Sequence, residues 1–122
     1  MLEVIHGKVP SKSNCYRITS GGKFPRLYKT KELHDYERSF KFQLRHHKGL
    51  KIATRFKLVL DVFYPSRRAD LDNALKVVLD SLQTCEAIDN DRHCVEIHAR
   101  RHLDKQNPRI EFELIPLENE QT

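Results

Sequence analysis

From Phe56 to Val62 large apolar residues fall on every second position, Phe56, Leu58, Leu60 and Val62, with Lys57, Val59 and Asp61 between them. A period of two sends successive side chains to opposite faces, so this run predicts a strand within residues 52–64 that Pro65 ends. The same period returns after Pro108 at Ile110, Phe112 and Leu114, separated by Glu111 and Glu113. It is looser in residues 2–9, which Pro10 closes, and over 94–100, where Val95, Ile97 and Ala99 share one face. Two stretches switch to helical spacing. Thr30 as cap and Glu32 in the first turn introduce Leu33, Tyr36, Phe40 and Leu44, with Gly49 as the natural stop. A second helix is predicted over 73–83, with Asp72 capping it, Leu75, Val78, Leu79 and Leu82 as its buried stripe, and Lys76, Asp80 and Gln83 on the opposite side.

These elements predict an α/β (α+β) fold over 1–122, a single small domain whose mixed β-sheet packs against at least two helices. Residues 10–29 read as a basic loop. Ser11, Ser13, Asn14, Gly21, Gly22 and Pro25 lie there among Lys12, Arg17, Lys23, Arg26 and Lys29, with room for a short strand near Tyr16. The polar tail 118–122 is expected to fray.

Composition narrows the partners. The 122 residues carry a net charge of +5, with 32% charged and 39% hydrophobic residues and no Trp, which suits a soluble basic protein with polyanionic partners. No apolar stretch approaches the roughly 20 residues needed to span a bilayer. No basic region precedes an apolar core at the amino terminus, so a cytoplasmic protein is expected. Cys15, Cys85 and Cys94 cannot all pair within one chain and follow no disulfide framework. A zinc set of Cys85, His93, Cys94 and His98 lacks the close cysteine pair of structural sites. Cys94 fits better as a core residue at a strand start. The seven histidines show no His-x-His or His-Glu-x-x-His spacing, and no Walker-type glycine loop suggests ATP use.

The densest chemistry lies in Arg67-Arg68-Ala69-Asp70-Leu71-Asp72-Asn73, followed by Lys76 and then by Asp91. Asp70 and Asp72 are two apart, so on an extended segment both carboxylates point one way, and a divalent cation removes their repulsion. Asp72 has a second explanation as helix cap, whereas Asp70 has none on this reading. Lys76 is one helical turn beyond Asp72. An ammonium there can neutralise charge that develops on an attacked phosphate, although a plain pairing with Asp80 is the alternative. Asp91 and Asp89 are rivals for a third acid. Lys12, Arg17, Lys23, Arg26, Arg67 and Arg68 are the candidates for holding a nucleic-acid backbone.

Asp70-Leu71-Asp72-Asn73, Lys76 in the following helix and Asn90-Asp91 before the next strand resemble the RusA family of Holliday-junction resolvases, small endonucleases frequent in bacteriophages and prophages. The chain length, the segment Pro10-Ser11-Lys12-Ser13-Asn14 and Tyr36 are also similar to that family. The resemblance implies a magnesium-dependent endonuclease that resolves four-way DNA junctions by paired nicks. It implies a homodimer working in a bacterial host cell and encoded by phage or prophage. It makes Asp70, Asp72 and Asp91 the metal-binding catalytic carboxylates and Lys76 the catalytic lysine. One departure is Asn90, where the family often has a second acid beside the one aligned with Asp91. A non-hydrolytic, structure-selective DNA-binding protein and a flap or fork nuclease are the alternatives.

Overall fold

The computed structural model describes residues 1–19, 21–22, 24–67 and 70–117. In chain order the elements are β1 (Glu3–His6), β2 (Tyr16–Ile18), β3 (Leu27–Lys29), α1 (Lys31–Gln43), β4 (Phe56–Tyr64), α2 (Leu71–Thr84), β5 (Cys94–Leu103) and β6 (Arg109–Pro116). Short 3-10 turns lie at Lys12–Asn14 and Asp91–His93.

The alternating run becomes β4, buried at every second residue from Phe56 to Tyr64. It lies inside a four-stranded sheet of order β1-β6-β4-β5, antiparallel to β6 and parallel to β5. The fold is therefore a single small α/β domain with a mixed sheet and two helices. Leu33, Tyr36 and Phe40 of α1 and Ala74, Val77, Val78 and Leu82 of α2 join the buried faces of β4 and β6 in one core. Phe40 stacks on Phe112 at 5.8 Å between ring centroids. The other sheet face carries ion pairs, among them Asp61 with Arg100 and His102. Among the described residues, no helix is long and apolar enough to cross a membrane.

Several boundaries differ from the sequence expectation, each for a tertiary reason. The first helix ends at Gln43 and does not run on to Gly49. The carboxylate of Glu3, which is 2% exposed, accepts hydrogen bonds from the backbone N–H groups of Arg45, His46 and His47 and from the His47 ring at 2.8–3.0 Å. Amides committed to β1 cannot propagate a helix. The strand expected from Ile52 begins at Phe56, and Ile52 makes only an isolated parallel bridge to Ile88. The first strand stops at His6, because Gly7 turns the chain at φ +117°. The second helix buries Ala74, Val77, Val78, Ser81 and Leu82, with Leu71, Leu75 and Leu79 flanking half-covered. That stripe is turned by about one residue from the predicted one. Of the predicted face of β5, Ala99 packs on the core while Val95 and Ile97 stay exposed, since β5 is an edge strand and its register shifts near Phe56. Within the stretch read as a basic loop, β2 and β3 form a separate antiparallel hairpin. The tail 118–122 lies outside the described residues.

All three cysteines are free, Cys15 and Cys85 buried and Cys94 half-buried against the core at the start of β5.

Burial opposes ionisation of Glu3, yet the His47 bond and the three backbone amides outweigh it and hold its carboxyl below the ordinary range. A depressed folded pKa means that the unfolded chain binds the extra proton. The stabilisation is therefore full above the unfolded value of about 4.3 and fades as pH falls through the folded one. Glu3→Gln is expected to lower unfolding free energy by about 3 kcal/mol at neutral pH, the scale of breaking a buried pair, and to flatten the acid limb below pH of about 4. Urea unfolding over a pH series checks both.

Candidate active site

The chain leaves β4 at Tyr64 and enters α2 at Leu71, and the turn between them ends in Asp70. Asp70, not Asp72, is the N-cap: its backbone is extended and its Oδ1 accepts the Asp72 N–H at 3.0 Å. This corrects the expectation that Asp70 has no structural duty. Asp72 occupies the first turn instead, where a carboxylate faces the positive end of the helix. The Tyr64 hydroxyl donates to the Asp70 carbonyl at 3.0 Å. Burial, and after it the Asp70 charge, push the Tyr64 phenol up to about 12, so it stays a neutral donor.

Asn73 fixes the opposite wall. It is buried, and its side-chain amide donates to the Pro10 carbonyl at 2.7 Å. The cost of an unpaired buried amide thus pins the 10–14 segment to the start of α2 and carries Lys12 to the acids. Lys12, Tyr16, Asp70, Asp72, Asn73 and Lys76 line one cleft of about 250 Å³. Asp70 also borders a larger hollow of about 620 Å³, together with Lys8, Lys12 and Tyr64, so space opens on both sides of it. Among the described residues, the Asp72 carboxylate makes no hydrogen bond or ion pair, and neither does the second oxygen of Asp70. Two such hard oxygen donors suit a magnesium ion, which takes one or two carboxylates and fills its remaining positions with water or phosphate.

Lys76 faces the same cleft with its ammonium 4.9 Å from the centroid of the Tyr16 ring. It makes no ion pair with Asp80 among the described residues. Asp80, one turn further, accepts from the Tyr16 hydroxyl at 3.5 Å. Burial raises the Asp80 pKa, assisted by Asp91 and opposed by Lys76 and Lys29.

Asp91 lies at the other end of α2. Its N–H donates to the Gln83 side chain at 3.3 Å. Gln83 is eleven residues beyond Asp72, or about 16 Å along a helix rising 1.5 Å per residue. Ligand oxygens of one magnesium ion lie about 2.1 Å from it, so a single chain does not gather Asp91 with Asp70 and Asp72 around one ion. Consistently, among the described residues no three His, Cys, Asp or Glu side chains come together as a metal site. The neighbours of Asp91 have other duties. Asn90 caps the 91–93 turn by accepting the Arg92 N–H at 2.9 Å, and Asp89 lies 3.6 Å from the His93 ring.

Of the candidate backbone-binding residues, Lys12 is in the cleft, while Arg17 and Arg26 belong to the hairpin segment, Arg17 donating to the Ser13 carbonyl at 2.8 Å. Arg67 offers its carbonyl to Arg101 at 3.4 Å. Lys23 and Arg68 lie outside the described residues.

The family model described as Endodeoxyribonuclease RusA matches residues 7–115. The chain belongs to the RusA family. It is also 27% identical over 121 residues to the crossover junction endodeoxyribonuclease RusA of Aquifex aeolicus (strain VF5), covering 97% of this chain and 94% of that relative. RusA membership supports a nuclease role for the chain. Sequence reasoning quoted Asn73 only as part of the motif, and it gave no role to Tyr64 or Tyr16, which line the two hollows beside Asp70. Asn73 falls opposite the predicted stripe of Leu75, Val78, Leu79 and Leu82, so its burial follows only from the turned face of α2, and the partners of the two tyrosines are remote in sequence.

Asp70 serves both as cap and as a free carboxylate, and the two roles separate by substitution. Asp70→Asn preserves a good cap and is expected to leave urea stability within about 0.5 kcal/mol, whereas Asp70→Ala should lose about 1 kcal/mol. Unfolding curves of the two variants give the comparison.

Proposed function

We propose that this RusA-family chain is a magnesium-dependent endonuclease that resolves four-way DNA junctions by paired nicks. The cleft where Asp70, Asp72, Lys12 and Lys76 converge carries this reading. The name of the Aquifex aeolicus relative supports the junction as substrate. Within one chain Asp70 and Asp72 would hold the ion, which would supply an activated water and charge stabilisation at the phosphate. Lys12 holds the incoming backbone, and Lys76 offsets the negative charge that builds as the phosphodiester is attacked. Arg17, Arg26 and Arg67 extend the basic track along the DNA.

Asp91 is the third ligand, and it comes from a second copy. β5 is the outer strand of the sheet, ten residues long, with Val95, Ile97 and Leu103 exposed along it. Such an open edge invites pairing with another strand. Antiparallel pairing of two β5 strands about a two-fold axis sets the start of one strand beside the end of the other. The start follows Asp91. The end is near Asp70, because Leu103 pairs with Tyr64, whose hydroxyl reaches the Asp70 carbonyl. The dimer thus completes two sites, one for each strand to be cut.

Mixing inert variants tests the assembly and the chemistry together. Asp70→Asn, Asp72→Asn and Asp91→Asn homodimers are each expected to lose nearly all magnesium-dependent nicking of a synthetic four-way junction while still binding it. Refolded mixtures of the Asp70→Asn and Asp91→Asn chains should regain single nicks, since a heterodimer has one site with every acid intact. Mixtures of Asp70→Asn with Asp72→Asn should not. Absence of rescue in the first mixture sinks the shared site. Binding without cuts by the unsubstituted protein would favour a non-hydrolytic role, and faster cutting of flaps or forks would change the substrate.

Charge reversal at Lys12, Arg17 and Arg26 is expected to weaken junction binding and to reduce the slope of log affinity against log salt by about 0.9 for each phosphate no longer neutralised. Fluorescence anisotropy over a salt series measures it, and an unchanged slope would make these residues a solvated surface.

A further inference from the structure

Three side chains from two remote segments meet beside the cleft: Tyr16 of β2 and Lys76 and Asp80 of α2. The Tyr16 ring lies under the Lys76 ammonium, 4.9 Å from centroid to nitrogen, and its hydroxyl donates to Asp80 at 3.5 Å. The ring itself is anchored. Tyr16 pairs with Lys29 in the hairpin, and the adjoining Cys15 carbonyl accepts the Thr30 N–H at 2.9 Å, which ties the hairpin to the start of α1.

We propose that Tyr16 and Asp80 are positioning residues that seat the Lys76 ammonium at the phosphate-binding cleft. The inference rests on the nuclease reading above, in which Lys76 meets the reacting phosphate. An aromatic face attracts a cation without consuming its N–H groups. A direct ion pair with Asp80, one turn away, would spend one of those donors and draw the ammonium from Asp72 and the cleft. The contacts divide the two roles: Asp80 accepts from the phenol, the phenol holds the ring, and the ring face holds the cation, whose three donors stay available to substrate. The half-buried Asp80, its pKa raised by desolvation, is consistent with a carboxylate enclosed in this seat.

A double-mutant cycle tests the seat. In saturating junction DNA, Tyr16→Leu is expected to lower kcat for nicking by about fivefold with KM little changed, the rate equivalent of removing a cation–π interaction at an exposed ammonium. In a Lys76→Ala background the same substitution should cost less than about twofold. Tyr16→Phe, which keeps the ring, should lose less than Tyr16→Leu. Equal losses in both backgrounds would mean that Tyr16 acts only through packing and would overturn the proposal. A readout independent of cleavage is the NMR shift of the Lys76 ε-methylene, expected upfield in the unsubstituted protein and in Tyr16→Phe and returned to its ordinary position in Tyr16→Leu. An ordinary shift in the unsubstituted protein overturns the seat. Failure of that protein to nick any DNA, with the ring-current shift present, overturns the nuclease reading and leaves the seat standing.

Discussion

Because β4 and β5 run parallel, the chain that leaves the end of β4 has to travel back along the sheet before β5 can start, and α2 is that return path. The turns at the two ends of α2 are therefore held apart by the length of the helix. One end carries Asp70 and Asp72, and the other carries Asp91. Residues that look like one acid cluster along the sequence are distributed by this connection to opposite ends of a domain. The same connection leaves β5 as an open edge running between those ends. A two-fold partner on that edge is the simplest way to reunite the acids, which is why assembly and chemistry are linked in the proposed function.

At the end where β4 hands over to α2, local and tertiary bonds overlap on a few residues. Asp70 satisfies a backbone N–H that the helix start would otherwise leave unpaired, and in doing so it fixes the direction of its remaining oxygen. Asn73 is buried and must find an acceptor, which it takes from Pro10. The Tyr64 hydroxyl closes the turn from the sheet side. Stability and site geometry are here the same set of bonds, so an isosteric change to Asn separates charge from structure better than a truncation does.

Glu3 and Asp61 show how a protein of net charge +5 uses carboxylates that its chemistry does not need. Glu3 gathers the amides that follow α1 and the buried His47 ring, while Asp61 collects Arg100 and His102 on the uncovered sheet face. Their partners outweigh burial and keep both in the charged form. The carboxylates of Asp72 and Asp91, by contrast, have no partner among the described residues. That difference in satisfaction separates acids that hold the fold from acids open to a ligand.

Periodicity alone was enough to identify β4, β6 and both helices, because burial of one face imposes a spacing that local sequence must obey. Thr30 and Glu32 were likewise legible as the start of α1, since capping is satisfied within one turn. The acids, Lys76 and the family they resemble could also be read from order and spacing. What the sequence could not settle depends on partners far along the chain. The end of α1 is set by Glu3, some forty residues earlier, and the separate hairpin by pairing across a basic segment with weak alternation. Whether Asp70 or Asp72 caps α2 turns on one residue of phase, which periodicity does not resolve. The distance between Asp70 and Asp91 is decided by whether β4 and β5 run parallel. Strand direction leaves no mark on the hydrophobic pattern of either strand, so only the tertiary structure could show that one chain holds the acids apart.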